Sequence, residues 1–241
     1  MKRSLSFVLF LSSPFAMNTF ADPPKLASTT PQFWATGVSA SQKTISLTFD
    51  QRLRSSLTDW IGGDVLSPAS DLQTKYSPDH MSCSIDVHLE PGHVYICALN
   101  GRGLPGVGFQ NEKGLSLPPT FLVFQTAGPV AGENAPPHVV RSVPANGSPQ
   151  IDPARTPAIV ITFDQRMAIK KHGMHLLENG KPADISKIAF AYSADGRTFS
   201  IPYSLKPGTQ YRLELNSTSD IGFSRANWIP LWPVQISFST Q

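Results

Sequence analysis

Apolar and polar residues alternate along much of this chain with a period of two. Ile45, Leu47 and Phe49 alternate with Ser46 and Thr48, and Ile159, Ile161 and Phe163 repeat the arrangement. Phe199, Ile201, Tyr203 and Leu205 form a further run, as do Tyr211, Leu213 and Leu215. Successive strand side chains point to opposite faces, so each run predicts a half-buried strand with one face on a core. Turn signals divide the runs: "PANGS" (144–148), "ENGKP" (178–182), "ADGR" (194–197) and "KPG" (206–208). The 22 Pro and 17 Gly argue against long helices, because Pro removes a backbone donor and blocks helix continuation.

The pattern occurs twice. "TISLTFDQRLR" (44–54) returns as "AIVITFDQRMA" (158–168), so "TFDQR" recurs 114 residues later. "YSPDHMSCSIDVHLEPGHVYICALN" (76–100) aligns without a gap with "YSADGRTFSIPYSLKPGTQYRLELN" (192–216), at an offset of 116 and with 11 of 25 positions identical. Each copy closes on a strand, "TFLVFQT" (120–126) and "VQISFST" (234–240), and "AGPVAGENAPP" (127–137) between them has the composition of a domain boundary. Short strands, frequent turns and about 100 residues per copy predict two β-sandwiches of about seven strands each, over 31–127 and 136–241. Tyr95 and Tyr211 occupy matching places and read as tyrosine corners, each pinning a strand against the preceding connection.

The first 21 residues stand outside this scheme. "MKRSLSFVLFLSSPFAMNTFA" has a basic start, an apolar stretch and small residues before Asp22, the pattern of a secretory signal peptide cleaved after Ala21. Its apolar stretch is too short to span a bilayer. The location expected is periplasmic or extracellular, with no membrane span after cleavage. Removing Lys2 and Arg3 takes the formal net charge from +3 to +1, which gives nucleic-acid binding no support. Cys83 and Cys97 remain in a chain expected to be exported, and oxidising compartments favour pairing. Cys83 aligns with Phe199 and Cys97 with Leu213, both on inward faces. A buried disulfide is therefore expected in the first copy where the second has an apolar contact, contributing roughly 3 kcal/mol.

"APPHVVRSVPANGSPQIDPARTPAIVITFDQRM" (135–167) resembles the opening of the bacterial immunoglobulin-like (Ig-like) repeats of the S-layer and surface-protein type. The "LKPGTQYRLEL" pair (205–215) and terminal "FST" (238–240) fit that pattern too. The first copy lacks the Pro-Ala-Asn-Gly turn but fits at "LEPGHVYICALN" and at "GFQNEKGLSLPPTFLVFQT" (108–126). The resemblance implies an all-β protein of two tandem immunoglobulin-like β-sandwich domains. It also implies a spacer, stalk or accessory role, although the scaffold hosts many unrelated activities and so the fold alone assigns none.

Candidate chemistry is sparse. Asp50 and Arg52, repeated as Asp164 and Arg166, form either a polar site or, as the repetition favours, a turn whose next residues the Asp caps. His172 and His175 are spaced like metal ligands, but no Cys or carboxylate cluster completes a site, so solvated side chains are expected. "GRGLPGVG" (101–108) opens no helix and reads as a connection, not a phosphate loop. No nucleophile elbow or zinc-protease motif occurs, so no enzymatic activity and no cofactor are expected. In "NWIPLWP" (227–233), Trp228 and Trp232 either cap the open end of the second sandwich, the favoured reading, or present indole faces to sugars or to an apolar partner. Trp60 carries the same ambiguity, and Trp34 is read as core.

The leading expectation is an exported non-catalytic module that binds or spaces something at the cell envelope, with a protein or an envelope polysaccharide as partner. A carbohydrate-binding protein using exposed aromatics and a periplasmic chaperone-like protein are the alternatives.

Overall fold

The computed structural model describes residues 22–54, 60–61, 67–68, 73–100, 108–130, 132–169 and 172–241. The expected signal peptide and most of "GRGLPGVG" lie outside the described residues.

Strands in the first half are β1 (Leu26–Thr30), β2 (Ala35–Val38), β3 (Thr44–Phe49), β4 (Trp60–Ile61), β5 (Lys75–Tyr76), β6 (Ser82–Asp86), β7 (Val94–Leu99) and β8 (Thr120–Thr126). The second half contains β9 (Val139–Val143), β10 (Ile159–Phe163), β11 (Met174–Glu178), β12 (Lys181–Pro182), β13 (Ala191–Tyr192), β14 (Thr198–Ile201), β15 (Gln210–Leu215) and β16 (Val234–Ser239). β1 starts ahead of the expected boundary at residue 31.

The strands form four sheets in the orders β1-β3-β6-β5, β2-β8-β7-β4, β13-β14-β10-β9 and β12-β11-β15-β16. Within each half the first, second, fifth and fourth immunoglobulin strands make one sheet, and the third, sixth and seventh make the other. The expected all-β fold of two tandem immunoglobulin-like sandwiches is what the chain forms. Inward residues of facing sheets meet in one core per half. The first core holds Ile45, Leu47, Phe49, Ile85, Tyr95, Leu122 and Phe124. The second holds Ile159, Ile161, Phe163, Phe199, Tyr211, Leu213 and Phe238. Each such side chain fully removed from water contributes about 1.5–3 kcal/mol before entropy is counted.

Matching polar bonds frame both sandwiches. The Tyr95 hydroxyl accepts from the Glu90 N–H at 2.8 Å and the Tyr211 hydroxyl from the Lys206 N–H at 2.7 Å, which makes both tyrosine corners. Thr126 Oγ1 donates to the Glu90 carbonyl and accepts from the His93 N–H, and Thr240 Oγ1 does the same with Lys206 and Thr209. Asn100 and Asn216 end their strands at φ +51° and +57°, a left-handed conformation that Asn tolerates. The Asn216 amide donates to the Phe223 and Leu231 carbonyls and accepts from the Phe223 N–H, all at 2.8–2.9 Å. Asn100 bonds Phe109 and Leu117 identically. One buried side chain thereby satisfies three buried backbone groups.

The expected disulfide is not formed: Cys83 and Cys97 are free, buried thiols. The "LEPG" connection does not fold a hairpin within one sheet. It carries the chain across the sandwich, from β6 beside β3 and β5 to β7 beside β4 and β8. The two thiols thus face the core from opposite sheets, and inward orientation alone does not bring two sulfurs to bonding geometry. Burial pushes both thiols up to about 12, so little reactive thiolate exists near neutral pH.

This frame gives two expected outcomes. Alkylation in denaturant without reductant will modify both cysteines, and the native protein will react far more slowly; mass measurement showing an unmodified pair would contradict free thiols. Asn216→Ala will lower unfolding stability by about 2–4 kcal/mol in denaturant titration, because it strands buried donors and acceptors.

Candidate functional site

The duplicated Asp-Gln pair anchors the incoming chain of each sandwich. Asp50 Oδ1 accepts from the Lys25 N–H at 2.8 Å, and the Asp50 N–H donates to the Lys25 carbonyl at 3.0 Å. Asp164 does the same with His138, at 2.7 and 3.0 Å. Gln51 reaches the Asp22 carbonyl, and Gln165 the Ala135 and Pro136 carbonyls. The carboxylates therefore reach back to the residue before β1 or β9 instead of capping the next turn. This is structural work, and it explains why the motif occurs twice.

His172 and His175 form no metal site: no cluster of potential ligands occurs among the described residues. The His172 ring packs on Phe190, Phe199 and Phe223. Desolvation lowers its pKa against an opposing pull from Asp220. Trp60 pairs through its backbone with Leu99, and its side chain lies outside what the structure describes.

The two tryptophans of "NWIPLWP" part company. Trp232 is half-buried in a seam between the two sandwiches, where its Nε1–H donates to the Trp34 carbonyl at 2.9 Å. The two indoles meet edge to face with centroids 5.6 Å apart. Trp34 is thus not part of the first core: it stands at φ +59° and lines the seam. Buried Val94 and Val123 of the first sandwich pack there with buried Ile229 of the second, flanked by Ile96, Phe121 and Ile221. The Phe121 N–H on the edge of β8 donates to the Thr218 carbonyl at 2.6 Å. The linker is tied at both ends. The Gly92 N–H donates to the Ala127 carbonyl, and Arg225 Nη1 donates to the Gly132, Glu133 and Ala135 carbonyls at 2.9, 2.7 and 3.1 Å. Gly92 is at φ +70° with Pro129 pressed against it, which leaves no room for a Cβ.

Trp228 faces outward, 58% exposed. It closes the turn of a hairpin in which the Arg225 N–H donates to the Ile229 carbonyl and the Trp228 N–H to the Arg225 carbonyl. The first sandwich builds the same hairpin from Asn111, Gly114 and Leu115. Gly114 sits at φ +81° and Trp228 at φ +70°. A large aromatic therefore occupies a left-handed position that its sibling gives to glycine, at a strain of roughly 1–2 kcal/mol. Beside it lies an open slot of about 480 Å³ lined by Arg166, Met167, Ala168, Ile169, Arg225 and Trp228. Ile169 is 57% exposed. This slot and the seam are the features with functional potential, and neither carries a recognisable motif.

Residues 133–240 match the family model of the bacterial Ig-like domain. The second sandwich is thus a bacterial Ig-like domain, as the resemblance implied, and the first is its internal sibling. No curated protein matches the chain. Among solved structures, a pair of titin Ig tandem domains is 13% identical over 91% of this chain and 97% of that one, with a TM-score of 0.27. An I-band fragment from titin is 9% identical over 92% of this chain and 66% of that one, with a TM-score of 0.29. Likenesses this low add nothing to the strand order.

The Asp164 carboxylate gives a pH signature. Burial pushes its pKa up, but hydrogen bonds from the His138 N–H and Gln165, with the His138 side chain, outweigh this and hold it below the ordinary aspartate range. A depressed native pKa means that its stabilisation is fully present above the unfolded value of about 3.9 and is lost as pH falls through the native value. Thermal midpoints measured against pH will show a shallower acid limb in Asp164→Asn than in the wild type.

Proposed function

We propose that this chain is an exported, non-catalytic tandem module that holds its two Ig-like domains in a fixed arrangement as a spacer and binding element at the bacterial cell envelope. The observation that carries this reading is the apolar seam. An ordinary linker leaves sandwiches free to reorient, and domain motion is the default unless the interface is large and apolar. Here the outer face of β7 and β8 is apolar at Val94, Ile96, Phe121 and Val123 and is covered by the second domain. The matching residues of the second domain are Gln210, Arg212, Gln235 and Ser237, and Arg212 pairs there with Glu214 at 2.9 Å. The second domain's face is thus polar where its sibling's is apolar.

The family match supports a surface or accessory role, and the basic-then-apolar leader at residues 1–21 supports export. Among the described residues the carbohydrate-binding alternative retains one exposed indole, Trp228, since Trp232 is engaged in the seam.

Differential scanning calorimetry tests the seam. The wild type will unfold in one cooperative transition. Transferring the sibling's residues, Phe121→Gln with Val123→Ser, will split it into two, with the earlier transition lowered by several degrees. Two independent transitions in the wild type would remove the basis for a fixed spacer.

A further inference from the structure

The two sandwiches share a frame, so positions where they differ on the surface are informative. Three such differences converge on the Trp228 slot. In the first domain, Arg54 donates from Nε to the Glu112 carbonyl at 3.1 Å, and its guanidinium lies 3.6 Å from where a Gly114 Cβ would stand. Its counterpart is Ala168, which leaves that space open. Arg52 pairs with the Glu112 carboxylate at 3.3 Å. The counterparts are Arg166 and Ala226, so the arginine is kept and its carboxylate is removed. Arg166 makes no hydrogen bond or ion pair among the described residues. Gly114 is replaced by the strained, exposed Trp228.

We infer that the slot binds a peptide segment in which a bulky apolar side chain stands next to a carboxylate. The carboxylate takes the place of Glu112 against Arg166, whose planar fork suits bidentate pairing. The apolar side chain fills the volume left by Arg54, against Met167, Ala168, Ile169 and the Trp228 ring. Arg225 lines the slot but is held by three linker carbonyls, so among the described residues Arg166 is the cation that sets the charge preference. An acidic saccharide would also offer a carboxylate. Its ring hydroxyls, however, would lie on a floor of Met167, Ala168 and Ile169, where Ser224 is the hydroxyl that lines the slot, and burying several hydroxyls with so few partners is unfavourable. The slot lies apart from the seam, so its failure would leave the spacer role standing.

The test is selection of random peptides displayed on phage against the full chain, followed by titration of synthetic copies of the enriched sequences. Oligogalacturonate serves as the saccharide probe. The enriched peptides will pair an aromatic or branched aliphatic residue with a neighbouring Asp or Glu. Their affinity will fall about tenfold or more in Ala168→Arg, in Ala226→Glu and in Trp228→Gly. Each of these variants imports the sibling's residue, so the hairpin still folds, and an unchanged thermal midpoint checks this. Raising the salt will weaken binding to the wild type, and Arg166→Gln will remove most of that dependence. Absence of enriched peptides, enrichment without a carboxylate, affinity that ignores the three variants, or tight oligogalacturonate binding would each overturn the assignment.

Discussion

A two-layer sandwich buries one face of each sheet and normally gives the other to water. The β7–β8 face of the first domain cannot do this. Tyr95, Cys97, Leu122 and Phe124 point into the core, and Val94, Ile96, Phe121 and Val123 point away from it, so these strands are apolar on both sides. Such a face must be covered, and the second domain covers it with Ile221, Ile229 and Trp232. The remaining organisation depends on that contact. The linker is drawn tight between Gly92 and Arg225, Trp34 leaves the first core to meet Trp232, and the 225–229 hairpin turns Ile229 inward and Trp228 out.

Duplication separates what the fold needs from what each copy does. Asp50 and Asp164, Gln51 and Gln165, Tyr95 and Tyr211, Asn100 and Asn216, and Thr126 and Thr240 all make the same bonds in both halves. These residues hold irregular backbone where no ladder can, and buried backbone groups left unpaired would be costly. Among the many positions that differ, two surfaces stand out. The outer sheet face is apolar in one copy and polar in the other, and the hairpin tip carries Glu112 and Gly114 in one copy and Ala226 and Trp228 in the other. The first difference defines where the domains join. The second opens a slot where the sibling has an internal ion pair.

Much of this architecture was legible in the chain. The period-two run Ile45–Phe49 identified a half-buried strand, Phe199–Leu205 did so only as far as Ile201, where β14 ends, and the gapless 25-residue alignment showed two copies of one sandwich. The seam was missed, although its apolar face left a signal: "VYICAL" (94–99) and "FLVF" (121–124) break the alternation that "QYRLEL" (210–215) and "VQISFS" (234–239) keep. An unbroken apolar run marks a strand buried on both faces. The Trp34–Trp232 contact was not legible, because it joins residues 198 positions apart through a domain orientation that no local pattern encodes. The disulfide expectation failed for a related reason. Alignment placed both cysteines on inward faces, but an inward direction does not fix how closely two sulfurs approach. The anchoring direction of Asp50 and Asp164 was likewise hidden, since their partners lie 25 and 26 residues earlier.

The central claim is that apolar coverage of the β7–β8 face holds the two domains as one body. Residual dipolar couplings of backbone amides in a weakly aligned sample test it most directly. If the seam holds, couplings from both domains fit a single alignment tensor of one magnitude and orientation. If each domain requires its own tensor with a different magnitude, the domains reorient independently and the account is wrong.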